Sequence, residues 1–287
     1  MSKRQQRRKN RSNSIFIQVF LSLCLLISLV FYSWLVEPNW IDVNHLQLTI
    51  PHLAAEFEQY RIVQISDIHT DKWTNEERLS RIFRLVNSQQ PDLIAITGDF
   101  VTAKQQIFLP KLAATIGQLA PKDQTVAVLG NHDHWVDSQA VKQLLSQAGI
   151  INLDNTVYTL QRGTARLHIA GVDDILVGKD RLDLVLKQLN DDGAAILLAH
   201  EPDFAASSAA TKRFDLQLSG HSHAGQIRLP LLKPFFLPPL SQKYYTGRYQ
   251  VGEMILYTNR GIGTSLLPLR FNARPEITVF TLQKLDN

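Results

Sequence analysis

The chain has almost no sulfur chemistry. Its 287 residues include one cysteine, Cys24, which excludes an intrachain disulfide framework and any zinc site built from thiolates. Repeats and low-complexity linkers are missing too, which excludes solenoid and fibrous architectures. The first 36 residues contain no acidic side chain but six basic ones: Lys3, Arg4, Arg7, Arg8, Lys9 and Arg11. Without them, 24 basic residues face 26 acidic ones. The formal charge of +4 therefore belongs to the tail. The body has no net attraction for nucleic acid and no basic-aromatic stripe, which argues against a nuclease. What remains is ordinary: 45% hydrophobic and 20% charged residues, enough to build a globular core.

Residues 15–36 (IFIQVFLSLCLLISLVFYSWLV) carry no charge of either sign. As a helix they would span about 33 Å, enough to cross a hydrocarbon core of about 30 Å. Tyr32 and Trp34 stand at the outer end, where amphipathic rings favour the interface. A cleaved signal peptide fits less well, because the apolar run is long and no A-x-A-like site follows it. The expectation is a basic tail over 1–14, a transmembrane helix over 15–36, a tether over 37–42 and one domain over 43–284. The basic flank predicts a single-pass membrane protein with its N-terminus in the cytoplasm and its domain outside.

Beyond the tether, short apolar runs alternate with helical spacing. Strands are predicted at 42–50, 60–66, 92–97, 125–129, 156–160, 166–171, 194–199, 214–219, 253–258 and 276–282. Helices are predicted at 75–88, with Thr74 as N-cap, and near 105–119, 138–148 and 180–190. This alternation points to an α/β domain. Five of the strands end in polar clusters: Asp67-x-His69, Gly98-Asp99, Gly130-Asn131-His132-Asp133, His200, and Gly220-His221-Ser222-His223. Ligand sites in α/β sheets lie beyond the carboxyl ends of strands, so the five clusters could meet at one edge. They offer carboxylate, imidazole and amide donors and no thiol, a mix suited to Mn, Fe or Zn. A carboxylate such as Asp99 could bridge two ions, and such a pair can clamp a phosphate and acidify a water. The glycines at 98, 130 and 220 let the backbone turn sharply beside the ions.

In order and spelling, these five blocks resemble the calcineurin-like metallophosphoesterase superfamily. The resemblance covers about residues 43–283. The stretches 220–227, 259–263 and 274–276 are similar to its membrane-associated bacterial YkuE/YaeI-like branch, with Ser222 and Ala224 standing where that branch usually has Thr and Gly. The resemblance implies two packed mixed β-sheets flanked by helices, a four-layer αββα sandwich. It implies two divalent metal ions. Asp67, His69 and His223 would hold one, Asn131, His200 and His221 the other, and Asp99 would bridge them. His132 would protonate the leaving oxygen, and Asp133 would orient its imidazole. The implied reaction is hydrolysis of a phosphate ester by in-line attack of a metal-bridging hydroxide, without a covalent phosphoenzyme. Related enzymes of the branch imply an alternative, a UDP-2,3-diacylglucosamine-type pyrophosphatase at the cytoplasmic face. A non-catalytic scaffold on the same fold is a further alternative, disfavoured because every implied ligand and His132 are present.

Other residues carry weaker signals. Glu201 could hydrogen-bond a ligand, and Arg260 could hold a substrate phosphate or form an ion pair. His134 could touch substrate or simply pack. His45, His52 and His168 read as ordinary. The stretch 229–240 (LPLLKPFFLPPL) has four prolines and one charge. Prolines exclude a regular helix or central strand, leaving a rigid loop or a lipid-facing lip beside the site. The partners expected are a phosphoester substrate, lipid-linked or phosphodiester by preference, and a membrane. Metal identity, monoester or diester preference and oligomeric state stay open.

Overall fold

The computed structural model describes residues 3–102, 106–230 and 232–285. Two six-stranded mixed sheets pack face to face. The first contains β1 (Asp42–Ile50), β2 (Arg61–Ile65), β3 (Leu93–Thr97), β4 (Gln124–Val128), β5 (Ile151–Asn152) and β12 (Glu276–Lys284), in the order β1-β12-β2-β3-β4-β5. The second contains β6 (Thr156–Arg162), β7 (Ala165–Gly171), β8 (Ala194–Leu198), β9 (Leu216–Ser219), β10 (Gly247–Val251) and β11 (Met254–Thr258), in the order β10-β11-β9-β8-β7-β6. β2 through β5 run parallel, as do β7, β8, β9 and β11. β12 joins β2 antiparallel, and β6 and β10 close the second sheet as antiparallel edges.

The continuous apolar runs of the central strands are buried on both faces, as parallel strands require. Their period of two divides them between layers. Leu93 and Ala95 of β3 face the space between the sheets and meet Ala194, Ile196 and Leu198 of β8. Ile94 and Ile96 face outward, against Leu79, Ile82, Phe83 and Val86 of α2 (Glu76–Ser88) and Leu112 of α3 (Leu109–Ile116). Val141, Leu144 and Leu145 of α5 (Ser138–Gln147) complete that layer. Ala195 and Leu197 of β8 face outward on the other side, against Val185 of α6 (Leu182–Gln188) and Ala205 of α7 (Ala205–Ala210). The result is the four-layer αββα sandwich.

Some predicted boundaries move. Asn75, not Thr74, caps α2: its side chain accepts the Arg78 N–H, with Glu76 and Glu77 in the first turn. The helix expected over 105–119 is regular only from Leu109 to Ile116, after a 3-10 turn, and residues 103–105 lie outside the described residues. The two-residue β5, the polar edge strand β10, and the short helices α4 (Asn131–Val136) and α7 were not predicted.

The N-terminal helix α1 (Lys3–Phe31) continues through a π-turn over Tyr32–Val36. It is long and apolar enough to cross a membrane and lies outside the sandwich. Two serines of this run bond back to it, Ser28 to the Cys24 carbonyl and Ser33 to the Leu29 carbonyl, which satisfies their hydroxyls without water. The end of this helical run is fastened to the domain. The Arg270 N–H donates to the Ser33 carbonyl, the Ala273 N–H donates to Glu37, and Tyr32 packs edge-on against Phe271.

Candidate metal centre

The five polar clusters lie at the carboxyl ends of strands from both sheets. β2, β3 and β4 supply Asp67-x-His69, Asp99 and Asn131-His132-Asp133; β8 and β9 supply His200 and His221-x-His223. The sandwich brings them together in two groups. In the first, His69 Nε2 is 3.1 Å from His223 Nε2, and Asp67 Oδ1 is 3.3 Å from His223 Nε2 and 4.0 Å from His69 Nε2. In the second, His200 Nε2 is 3.2 Å from His221 Nδ1 and 3.3 Å from Asp99 Oδ2. The same Asp99 Oδ2 lies 3.5 Å from His69 Nε2, so one oxygen stands between the groups.

These groups fit divalent cations. Two nitrogens about 2.1 Å from one ion stand about 3.0 Å apart at a right angle and about 3.4 Å apart at the tetrahedral angle. The two imidazole pairs fall within that range. The Asn131 amide oxygen and His69 Nδ1 are buried and have no hydrogen-bond partner, although buried polar atoms are seldom left unpaired. Backbone carbonyls fix the ring orientations. His200 Nδ1 donates to the Thr97 carbonyl, and His221 Nε2 donates to the Pro239 carbonyl. The ring nitrogens left over, His200 Nε2 and His221 Nδ1, turn toward each other and Asp99, as outer hydrogen bonds commonly arrange for metal-binding imidazoles.

The electrostatics agree. Burial pushes His69 and His221 down to about 3 and lowers His223, where the charge of the buried Arg270 adds to the effect. Those rings are neutral at pH 7, with lone pairs to give. Burial lifts Asp67 to about 6. Burial also opposes the charges on Asp99 and His200, but their mutual attraction prevails: Asp99 is held well below the usual carboxylate range and His200 well above 6.5. The His200 proton thus compensates a buried anion, a task a divalent ion performs better, with release of the proton.

The backbone at these residues is strained. Asp67, His69, Asp99, His221 and His223 all adopt positive φ, between 47° and 66°, in the left-handed region that side chains other than glycine usually avoid. Such strain concentrates at functional sites and persists only where the surroundings enforce it. Ala224 shares it (φ 52°), which is where the expected glycine would relax the turn. Gly130 and Gly220 play a different part from the one predicted. They provide room rather than a sharp turn: a Cβ on Gly130 would lie 2.3 Å from Asp99 Oδ1, and one on Gly220 would lie 2.4 Å from Asp67 Oδ2.

His132 is half-buried at the cavity wall. Its backbone N–H donates to Asp99 Oδ1, and its ring lies 4.8 Å from that of His69 and 4.9 Å from that of Trp135. Asp133 makes backbone contacts that the sequence did not announce. Its carboxylate accepts the N–H groups of Phe100, Val101 and Gly130, stapling the Asp99 turn to the start of α4. It positions Asp99 and the helix that carries His132, and its oxygens are committed to backbone. Arg260 pairs with Glu276 and Asp42. Glu201 accepts the N–H groups of Ile175 and Leu176 and bonds no ligand. His134 contacts Asp173 at 2.6 Å. Sequence reasoning missed Arg270, the Pro239 carbonyl and Trp135.

Above the clusters opens a cavity of about 600 Å³. Asp99, Asn131, His221 and His223 form its floor, while Trp135, Leu176, Ile227, Phe235, Phe236, Leu266 and Leu267 beside His132 make its walls largely apolar.

The family model of calcineurin-like phosphoesterases matches residues 60–225. The chain belongs to that family. Its relatives include the uncharacterized metallophosphoesterase YkuE of Bacillus subtilis, 37% identical over 265 residues, covering 89% of this chain and 90% of YkuE. The phosphodiesterase YaeI of Escherichia coli is 30% identical over 255 residues, covering 88% and 92%. A zebrafish (Danio rerio) transmembrane protein with a metallophosphoesterase domain is 31% identical over 284 residues, covering 94% of this chain and 63% of its own length. Membership in this family accounts for the buried donor groups and the shared carboxylate oxygen.

Proposed function

We propose that the chain is a membrane-tethered, two-metal phosphoesterase that favours phosphodiester or phospholipid-like substrates. The observation that carries this reading is Asp99 Oδ2, within 3.5 Å of donor nitrogens from both groups. Asp67, His69 and His223 would hold one ion, Asn131, His200 and His221 the other, and Asp99 both. Bound there, two ions of the Mn, Fe or Zn type supply Lewis acidity toward a phosphoryl oxygen and an acidified water for in-line attack.

The protein's own residues do the rest. His132 stands at the wall of the cavity and delivers a proton to the departing oxygen. Asp133 keeps α4, and with it His132, in register with Asp99. The apolar walls exclude water and accept a hydrophobic leaving group. The positive charges in the first turns of α1 favour a cytoplasmic N-terminus, with the domain over 43–284 outside.

A pyrophosphate-linked glycolipid, as in a UDP-2,3-diacylglucosamine-type pyrophosphatase, would satisfy the same cavity from the cytoplasmic face. A substrate panel separates these readings. Purified protein loaded with Mn²⁺ is offered p-nitrophenyl phosphate, its bis ester, UDP-sugars and lipid phosphates. Turnover of the bis ester and of lipid diesters is expected. Turnover confined to the UDP compounds moves the assignment to the pyrophosphatase. Metal binding without turnover of any ester leaves a scaffold.

A further inference from the structure

Large apolar side chains that remain exposed outside the N-terminal helix concentrate around the cavity mouth. Phe235 is 75% exposed, Phe236 63%, Leu266 85% and Leu267 55%, and Trp135 stands beside them. Water does not favour so many neighbouring apolar groups on one face. The loop that carries the phenylalanines is rich in proline and packs closely on the metal loop. Pro234 sits where a Cβ on Gly225 would lie 2.3 Å from it, and Pro238 and Pro239 stiffen the return.

This rim is continuous with the end of the α1 helical run. Phe271 packs on Tyr32, donates its N–H to the Gln226 carbonyl and accepts the Arg228 N–H, so the segment around Ile227 is paired with it. The Gln226 side chain donates to the carbonyls of Ser265 and Leu267. Arg270, next to Phe271, bonds the Ser33 carbonyl. A second contact sets the level. Trp34 of the helical run meets Trp73 of the domain, ring centroids 5.7 Å apart, with the Lys72 ammonium 5.1 Å from the Trp73 ring. Indoles next to basic groups settle at the headgroup layer, and here the anchor and the domain share that layer.

We infer that the cavity rim is seated in the surface of the bilayer that α1 enters, and that the cavity receives a phosphoester carrying an acyl chain from the membrane side. The substrate half of this inference rests on the phosphoesterase reading above. The occupant of the rim is lipid, because the rim is joined through Gln226, Phe271 and Arg270 to the end of the very helical run that is apolar enough to span. The exposed Lys233, between Leu232 and the rim phenylalanines, adds attraction for anionic headgroups.

The test uses the full chain reconstituted in vesicles of phosphatidylcholine and phosphatidylglycerol. Cys24→Ser removes the only cysteine, after which Phe236→Cys, Leu266→Cys or, as control, Leu184→Cys on α6 carries an environment-sensitive fluorophore. The probes at 236 and 266 are expected to shift to the blue and to be quenched by doxyl lipids, while the probe at 184 is quenched only by aqueous iodide. Iodide quenching of all three overturns the seating. A second arm replaces two exposed leucines that lie outside the cavity, Leu229→Ser with Leu232→Ser. Turnover of a vesicle-embedded lipid diester is expected to fall about tenfold or more while bis-p-nitrophenyl phosphate is spared. Equal loss on both substrates overturns membrane-side entry. Failure of the unaltered enzyme to hydrolyse any ester instead overturns the phosphoesterase reading, a result the fluorescent probes distinguish because they need no catalysis.

Discussion

At the scale of single residues, the centre depends on backbone conformations that no letter in the sequence announces. Five ligand-type side chains sit at positive φ, and the turns that hold them tolerate no added bulk. Gly220→Ala would place a methyl 1.8 Å from Ser66 Oγ. We expect a loss of about 1–3 kcal/mol from overpacking together with a lower bound-metal content, read by urea denaturation and elemental analysis. His132→Ala should behave in the opposite way. Turnover should fall about 10²–10⁴-fold, the usual worth of a positioned proton donor, while bound metal stays at the level of the unaltered protein. Loss of metal in that variant would make His132 a ligand instead. The donor residues were legible in the sequence because cation chemistry dictates their side chains. The carbonyls of Thr97 and Pro239 that aim two of them were not, since every residue carries one. Asp133 was legible as important, but its hold on the backbone was not, because only the fold shows three N–H groups converging on its carboxylate.

At the scale of elements, sequence signals worked where burial was two-sided. The runs that became β2, β3, β4, β8 and β9 are rich in apolar residues and buried along most of their length. β10 (GRYQV) lies at an edge with one solvated face, and β5 has only two residues, so neither carries enough pattern to be read. The β6–β7 pair also contains a histidine that read as ordinary and proves informative. His168 is buried between Thr159 Oγ1 and the Asp192 carbonyl. Burial lowers its pKa from 6.5. The unfolded chain therefore takes up this proton first as pH falls. The stability contribution is complete above about 6.5 and is lost between there and the lower folded-state value. His168→Gln, which keeps hydrogen-bonding capacity without titrating, should flatten the fall in denaturation midpoint between about pH 7 and pH 5.5. An unchanged slope would place the acid sensitivity elsewhere.

At the scale of the whole molecule, the donors are divided between two sheets that also meet through apolar contact, buried polar bonds and ion pairs such as those of Arg260 with Asp42 and Glu276. A cation held by His69 from one sheet and His223 from the other would cross-link the sandwich at its open end. Metal present at about 100 times its dissociation constant adds about 2.7 kcal/mol to the folded state, or about 5–10 °C in a domain of this size. Chelation should therefore lower the thermal midpoint by that amount and abolish turnover, and added Mn²⁺ should restore both; an unchanged midpoint would mean the groups hold no ion.

The bond from His221 to the Pro239 carbonyl has a corollary. The loop that lines the cavity mouth also steers an imidazole among the candidate metal ligands. Substitution of its phenylalanines and leucines can leave that bond in place, whereas a change in its bend moves the carbonyl. Anyone grafting a foreign lip onto this scaffold inherits the same constraint, measured in the placement of one oxygen.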